Sequence, residues 1–311
     1  MKHRAPIFAL VVATAVSAAI ACSSKDAPQT PAAVTYPQDC KGLGENETAD
    51  CAEDRFWEAF AQKDLAVRQA TAEIHVAAIA KFPQMADKVR ASRLHFRLGQ
   101  IRMAMGIEND QRDIMLHAFD LVIGEFDKAM ALDPSNGIIA PWKDTMEMAF
   151  PAVLGDWDAA VPLAERGFEN VPKNKMGNTL SLSGTTIGFP LRTGVPQKTV
   201  KLLDEWVCEG ADFCTKNTKH APWARPGLAF HFAEAYARVG DKAKAKQHLE
   251  ACLAAEGADK WPYRATCQGA LADLDGFLAK FAARGEDQGC FDISYANQDN
   301  GCVFCHEAAK P

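Results

Sequence analysis

From about Asp54 to Arg284, apolar residues recur at intervals of three and four, and runs of β-branched residues bounded by turns are rare. That period belongs to amphipathic helices, so the chain is expected to be all-α. The pattern also repeats. Gly240 and Asp241 separate two apolar helical stretches, 228–239 and 243–255. The first carries Ala233 and Tyr236; the second carries Ala245, Leu249 and Cys252. Small residues at these points let two antiparallel helices approach closely, and the tyrosine fills the gap to the next pair.

This arrangement resembles a tetratricopeptide repeat. Gly155, Asp156 and Trp157 read as a hairpin turn, followed by Ala160, Ala164, Gly167 and a helix-ending Pro172. Phe126, Ala129, Leu132, Asp133 and Pro134 match the close of another unit, and Ala78, Phe82 and Pro83 an earlier one. Gly194, Thr199, Leu203 and Trp206 give a weaker copy. The turn glycines are unevenly spaced, so the expected fold is an α-solenoid of degenerate tetratricopeptide-like hairpins over 39–285 with an irregular tail over 286–311. The resemblance implies a groove that holds a protein or peptide partner. Two segments, 171–188 and 208–227, are rich in polar, glycine or proline residues and read as long loops.

The beginning of the chain reads as an export signal over 1–21: Lys2, His3 and Arg4, then a short apolar run ending Ala19, Ile20, Ala21, Cys22. The ending resembles the lipobox of bacterial lipoproteins, which implies lipidation of Cys22. Residues 22–38, rich in Ser, Pro, Ala and Thr, read as a flexible tether reaching roughly 20 Å. The expected location is the bacterial envelope, at the periplasmic face of the outer membrane. No second apolar run approaches spanning length, so the membrane is contacted through the lipid alone. A net charge of −6 without a basic cluster argues against nucleic acid as a partner.

Ten cysteines suit an oxidising compartment. Their spacing suggests local bridges: Cys40 with Cys51, Cys208 with Cys214, and Cys252 with Cys267. The tail holds the most chemically specific string, Cys302, Val303, Phe304, Cys305, His306. Two cysteines around two spacers, followed at once by histidine, is the spacing at which c-type haem is attached. The thiols add to the haem vinyl groups and the histidine binds the iron. The tail resembles the ending of cytochromes c′, but the preceding residues are polar where that family has a continuous helix. Other readings of the string are a disulfide from Cys290 to Cys302 or Cys305, a redox-active cysteine pair, and a zinc site from Cys290, Cys302, Cys305 and His306.

His220 and Met176, both in expected loops, are candidates for a second iron ligand. The other histidines in helical stretches (His75, His95, His117, His231 and His248) read as surface or satisfied core groups. Met103, Met105, Met146 and Met148 fall at core spacing. No hydrolase or transferase constellation appears, and 181–186 lacks the spacing of a phosphate loop. Two functions follow: a lipid-anchored scaffold that recruits partners through its groove, or a monohaem carrier that docks to a redox partner. The alternative is a haem-free scaffold with a disulfide-bonded tail, either for protein interaction or, in a form that resembles the helical-repeat lipoproteins accompanying certain transporters, associated with a transporter.

Overall fold

Helix after helix packs against its neighbour in sequence. The computed structural model describes residues 39–108, 112–171, 175–206, 217–294 and 303–307. Thirteen helices are named here: α1 (Glu45–Phe60), α2 (Leu65–Lys81), α3 (Lys88–Glu108), α4 (Arg112–Leu132), α5 (Ile139–Val153), α6 (Trp157–Asn170), α7 (Lys175–Gly188), α8 (Val195–Trp206), α9 (Ala224–Arg238), α10 (Lys242–Ala254), α11 (Arg264–Ala272), α12 (Leu274–Ala282) and the single turn α13 (Val303–His306). Consecutive pairs make the main contacts, α3 with α4 and α9 with α10 most extensively. No strand occurs among the described residues, only an isolated bridge between Thr218 and Ala221. The protein is therefore all-α, with sequential pairing consistent with a stack of helical hairpins. No helix among the described residues is long and apolar enough to cross a membrane.

The hairpin turns follow from local chemistry. Gly155 and Gly240 take φ of 76° and 78°, a left-handed conformation that side chains with a Cβ resist. The aspartate after each glycine then caps the next helix: Asp156 accepts from the Ala159 amide at 3.1 Å, and Asp241 from the Lys244 amide at 3.0 Å. Asp64 and Asp273 cap α2 and α12 in the same way. The residues singled out in that hairpin face inward: Ala233, Tyr236, Ala245, Leu249 and Cys252 are buried, as are the four core methionines.

One expected loop is a helix. Residues 175–188 form α7 in spite of their Ser, Thr, Gly and Asn content. Its hydroxyls bond back along the helix, Thr185 to the Ser181 carbonyl and Thr186 to the Leu182 carbonyl. They also bond across it: Thr145 donates to Ser181 Oγ at 2.6 Å, and the Thr186 and Thr199 hydroxyls meet at 2.7 Å. Polar groups that favour turns in isolation are thus satisfied inside the α5–α7–α8 packing. The second expected loop keeps its turns over 218–223, but its last residues begin α9. Pro172 and Cys208–Cys214 lie outside the described residues, as do the signal, Cys22 and the tether.

Cys40 and Cys51 are disulfide-bonded, closing the start of α1. Cys252 and Cys267, expected to bridge, come within side-chain hydrogen-bonding reach of each other. Both are free thiols, fully buried on α10 and α11, and Cys267 Sγ turns to the Leu249 carbonyl at 3.3 Å. Cys290 is also free and buried, with Sγ 3.8 Å from the Phe281 carbonyl.

Candidate functional site

The C-terminal turn is held by tryptophans. Phe304 is buried in a nest of rings, with centroids 4.7 Å from Trp261, 4.9 Å from Tyr263 and 5.4 Å from Phe230. The carbonyls that end α13 have no partner within so short a helix. Trp261 Nε1 donates to the Phe304 carbonyl at 2.9 Å, the Trp223 amide to the Cys305 carbonyl at 3.1 Å, and Trp223 Nε1 to the Glu307 carbonyl at 2.9 Å. Apolar burial and donated hydrogen bonds come from the same two indoles, which is how a four-residue helix keeps its form here.

Cys305 and His306 diverge from this turn. Cys305 is half-buried as a residue, but its Sγ points inward onto α9, where a Cβ on Gly227 would overlap it. Burial pushes the thiol pKa up to about 12, so it stays protonated at neutral pH. That is the opposite of the lowered pKa a redox-active thiol needs. His306 points to the far end of the chain. Its ring stacks on Trp57 of α1 at 5.5 Å and meets Phe60 edge-on at 5.1 Å. His306 Nδ1 lies 2.5 Å from the carbonyl of His220. Since the carbonyl only accepts, Nδ1 carries the proton and Nε2 is the nitrogen with the lone pair. Histidine ligands are oriented by such an outer hydrogen bond.

The turn that offers this carbonyl is itself fixed. Thr218 and Ala221 exchange backbone hydrogen bonds around His220. Asn217 donates to the Glu256 carbonyl at 2.8 Å and accepts from the Arg225 amide at 3.1 Å. The His220 ring lies flat on Trp57, 4.7 Å away and 11° from parallel. Burial and the neighbouring Lys219 lower its pKa, against the carboxylates of Glu53 and Asp54. Trp57 is locked from its other contacts. Its Nε1 donates to Glu53 at 2.7 Å, and the Arg97 guanidinium sits 4.4 Å from its ring while binding both Glu53 oxygens. Burial works to raise the Glu53 carboxyl, but the hydrogen bonds and charge of Arg97 outweigh it and hold it below its usual range.

No protein-family model, curated protein or solved structure matches this chain. The site therefore stands on its own geometry.

Of the residues read from sequence, Cys305, His306 and His220 come together in this seat. Cys302 lies outside the described residues, and nothing is described of the Met176 side chain. The side chains of Cys305 and His306 leave the turn toward different helices, α9 and α1. Among the described residues, no group of three or more His, Cys, Asp or Glu is arranged to hold a metal. A haem bound through both residues would need Cys305 Sγ to turn out from its seat on Gly227. Sequence reasoning missed the aromatic seat of Trp57, Phe60, Trp223 and Trp261, and it read two histidines as surface or satisfied core groups. His75 and His231 are buried, each with one ring nitrogen lacking a hydrogen-bond partner.

Proposed function

We propose that this is a lipid-anchored envelope protein whose tetratricopeptide-like helical body carries one covalent c-type haem. Cys302 and Cys305 would hold the haem through thioethers and His306 would bind its iron. The observation that carries the reading is the hydrogen bond from His306 Nδ1 to the His220 carbonyl. It selects the tautomer in which Nε2 can bind iron and fixes the ring plane against Trp57. His220 acts in this reading through its backbone, as a positioning residue on the Nδ1 side of His306. A bound haem supplies a one-electron iron couple. The chain supplies orientation and an apolar seat. The helical body then serves as the docking surface for a redox partner.

Expression with a haem-maturation system, followed by a denaturing gel stained for haem peroxidase activity, tests this directly. Colour that survives denaturation and disappears in Cys302→Ala/Cys305→Ala is expected. An unstained band from a folded, exported protein would overturn the reading and leave a haem-free partner-binding scaffold. The anchor is tested by Cys22→Ala, which is expected to move the protein from the membrane to the soluble envelope fraction.

A further inference from the structure

Two thiols meet in the same core as the rings that hold the C-terminal turn. Cys252 on α10 and Cys267 on α11 are both fully buried, on neighbouring helices. Cys267 Sγ donates to the carbonyl of Leu249, about one helical turn before Cys252, at 3.3 Å. The Cys252 thiol in turn comes within hydrogen-bonding reach of the Cys267 sulfur.

Both cysteines belong to one buried cluster with Trp223, Phe230, Trp261 and Phe304. The chain between them carries Trp261, which donates to the Phe304 carbonyl, and Tyr263, whose ring lies 4.9 Å from Phe304. It turns at Gly257, with φ of 78°, and Arg264 ties its far end to the Leu253 carbonyl at 3.2 Å. The grip on the tail therefore comes largely from a loop of about fifteen residues that begins and ends at the paired thiols. As packing groups, two buried thiols do little that two small apolar side chains would not. Their distinct chemistry is the bond they can form.

We propose that Cys252 and Cys267 close to a disulfide as α10 and α11 come together, and that this bond locks the loop seating the C-terminal turn. In that step both S–H bonds break and an S–S bond forms between the two sulfurs. The two protons and two electrons pass to a disulfide-bearing oxidant, which leaves as two thiols. The hydrogen bond to Cys267 and burial hold the Cys252 thiol well above its usual range, so the attacking thiolate is scarce once the core is packed. The redox state is thus set during folding and kept afterwards. This inference does not depend on the haem reading.

The test refolds the full chain either with mixed oxidised and reduced glutathione or with a reductant alone, and maps the cysteines by mass spectrometry. A crosslink between Cys252 and Cys267 is expected in the first case. Reduction also opens the Cys40–Cys51 bridge, so the same pair of conditions on Cys252→Ala/Cys267→Ala supplies the baseline. Beyond that baseline, oxidation should raise the melting temperature by roughly 5–10 °C. It should also slow amide exchange over 258–264 and 303–307 in the wild type alone. Should the double variant fold poorly, Cys252→Ala removes the bond and serves the same comparison. Oxidised glutathione added to the reduced, already folded chain should leave both thiols free over the time in which refolding chains crosslink. Rapid crosslinking of the folded chain, no crosslink on refolding, a bridge from either cysteine to another, or a crosslink that leaves 303–307 unchanged would overturn the proposal.

Discussion

His75 and Gly227 show what single residues cost and contribute here. His75 is fully buried on α2, with Nδ1 on the Thr71 carbonyl, and burial lowers its pKa from 6.5 to about 4. Between those values the unfolded chain binds a proton that the folded chain refuses, so stability rises with pH across that window. It is fully present above pH 6.5 and is lost as pH falls toward 4, by on the order of 3 kcal/mol. Denaturant unfolding at pH 7.5 and pH 4 should show a larger loss for the wild type than for His75→Gln, whose side chain does not titrate. Equal losses would refute the assignment. Gly227 makes a steric prediction. An added methyl would strike Cys305 Sγ and crowd Phe304, so Gly227→Ala should cost about 1–3 kcal/mol and lower the yield of covalent haem. Gly184 on α7 faces open space, and Gly184→Ala should instead stabilise by about 0.5–1 kcal/mol. Paired thermal melts decide between the two.

At the scale of elements, α7 is where local composition and tertiary context disagree. The Thr186–Thr199 hydroxyl pair is buried between α7 and α8, and Thr199 also reaches the Val195 carbonyl. Thr186→Val should cost about 1 kcal/mol, and adding Thr199→Val should recover most of it, because both partners are then apolar. A double-mutant cycle by chemical denaturation measures the coupling. The same helix marks how far the sequence is readable. The Gly155–Asp156 and Gly240–Asp241 turns were legible because glycine and a capping aspartate act within a few residues. The residues of α7 were not, since their hydroxyls are satisfied by Thr145 and Thr199 on other helices. The site divides in the same way. Cys305 and His306 were legible as a motif of fixed spacing. The seat was not, because Trp57, Trp223 and Trp261 meet the turn only after the helices between them have packed.

On the scale of the whole molecule, α1 meets the last described turn. His306 rests on Trp57 and Phe60, and His220 covers Trp57, so residues at both extremes of the described chain share one stack. Stacked hairpins otherwise depend mainly on their neighbours in sequence. This contact adds long-range coupling to a local architecture. Trp57→Ala should therefore raise amide hydrogen exchange in both 218–223 and 303–307 while leaving α5 and α6 unchanged; a rise confined to α1 would show that the stack does not couple them. The indoles that hold the tail have a further consequence. Three of the six tryptophans, Trp57, Trp223 and Trp261, border the C-terminal turn. The protein thus carries its own optical gauge: indole emission reports whether the tail is seated, and a chromophore attached there would darken it.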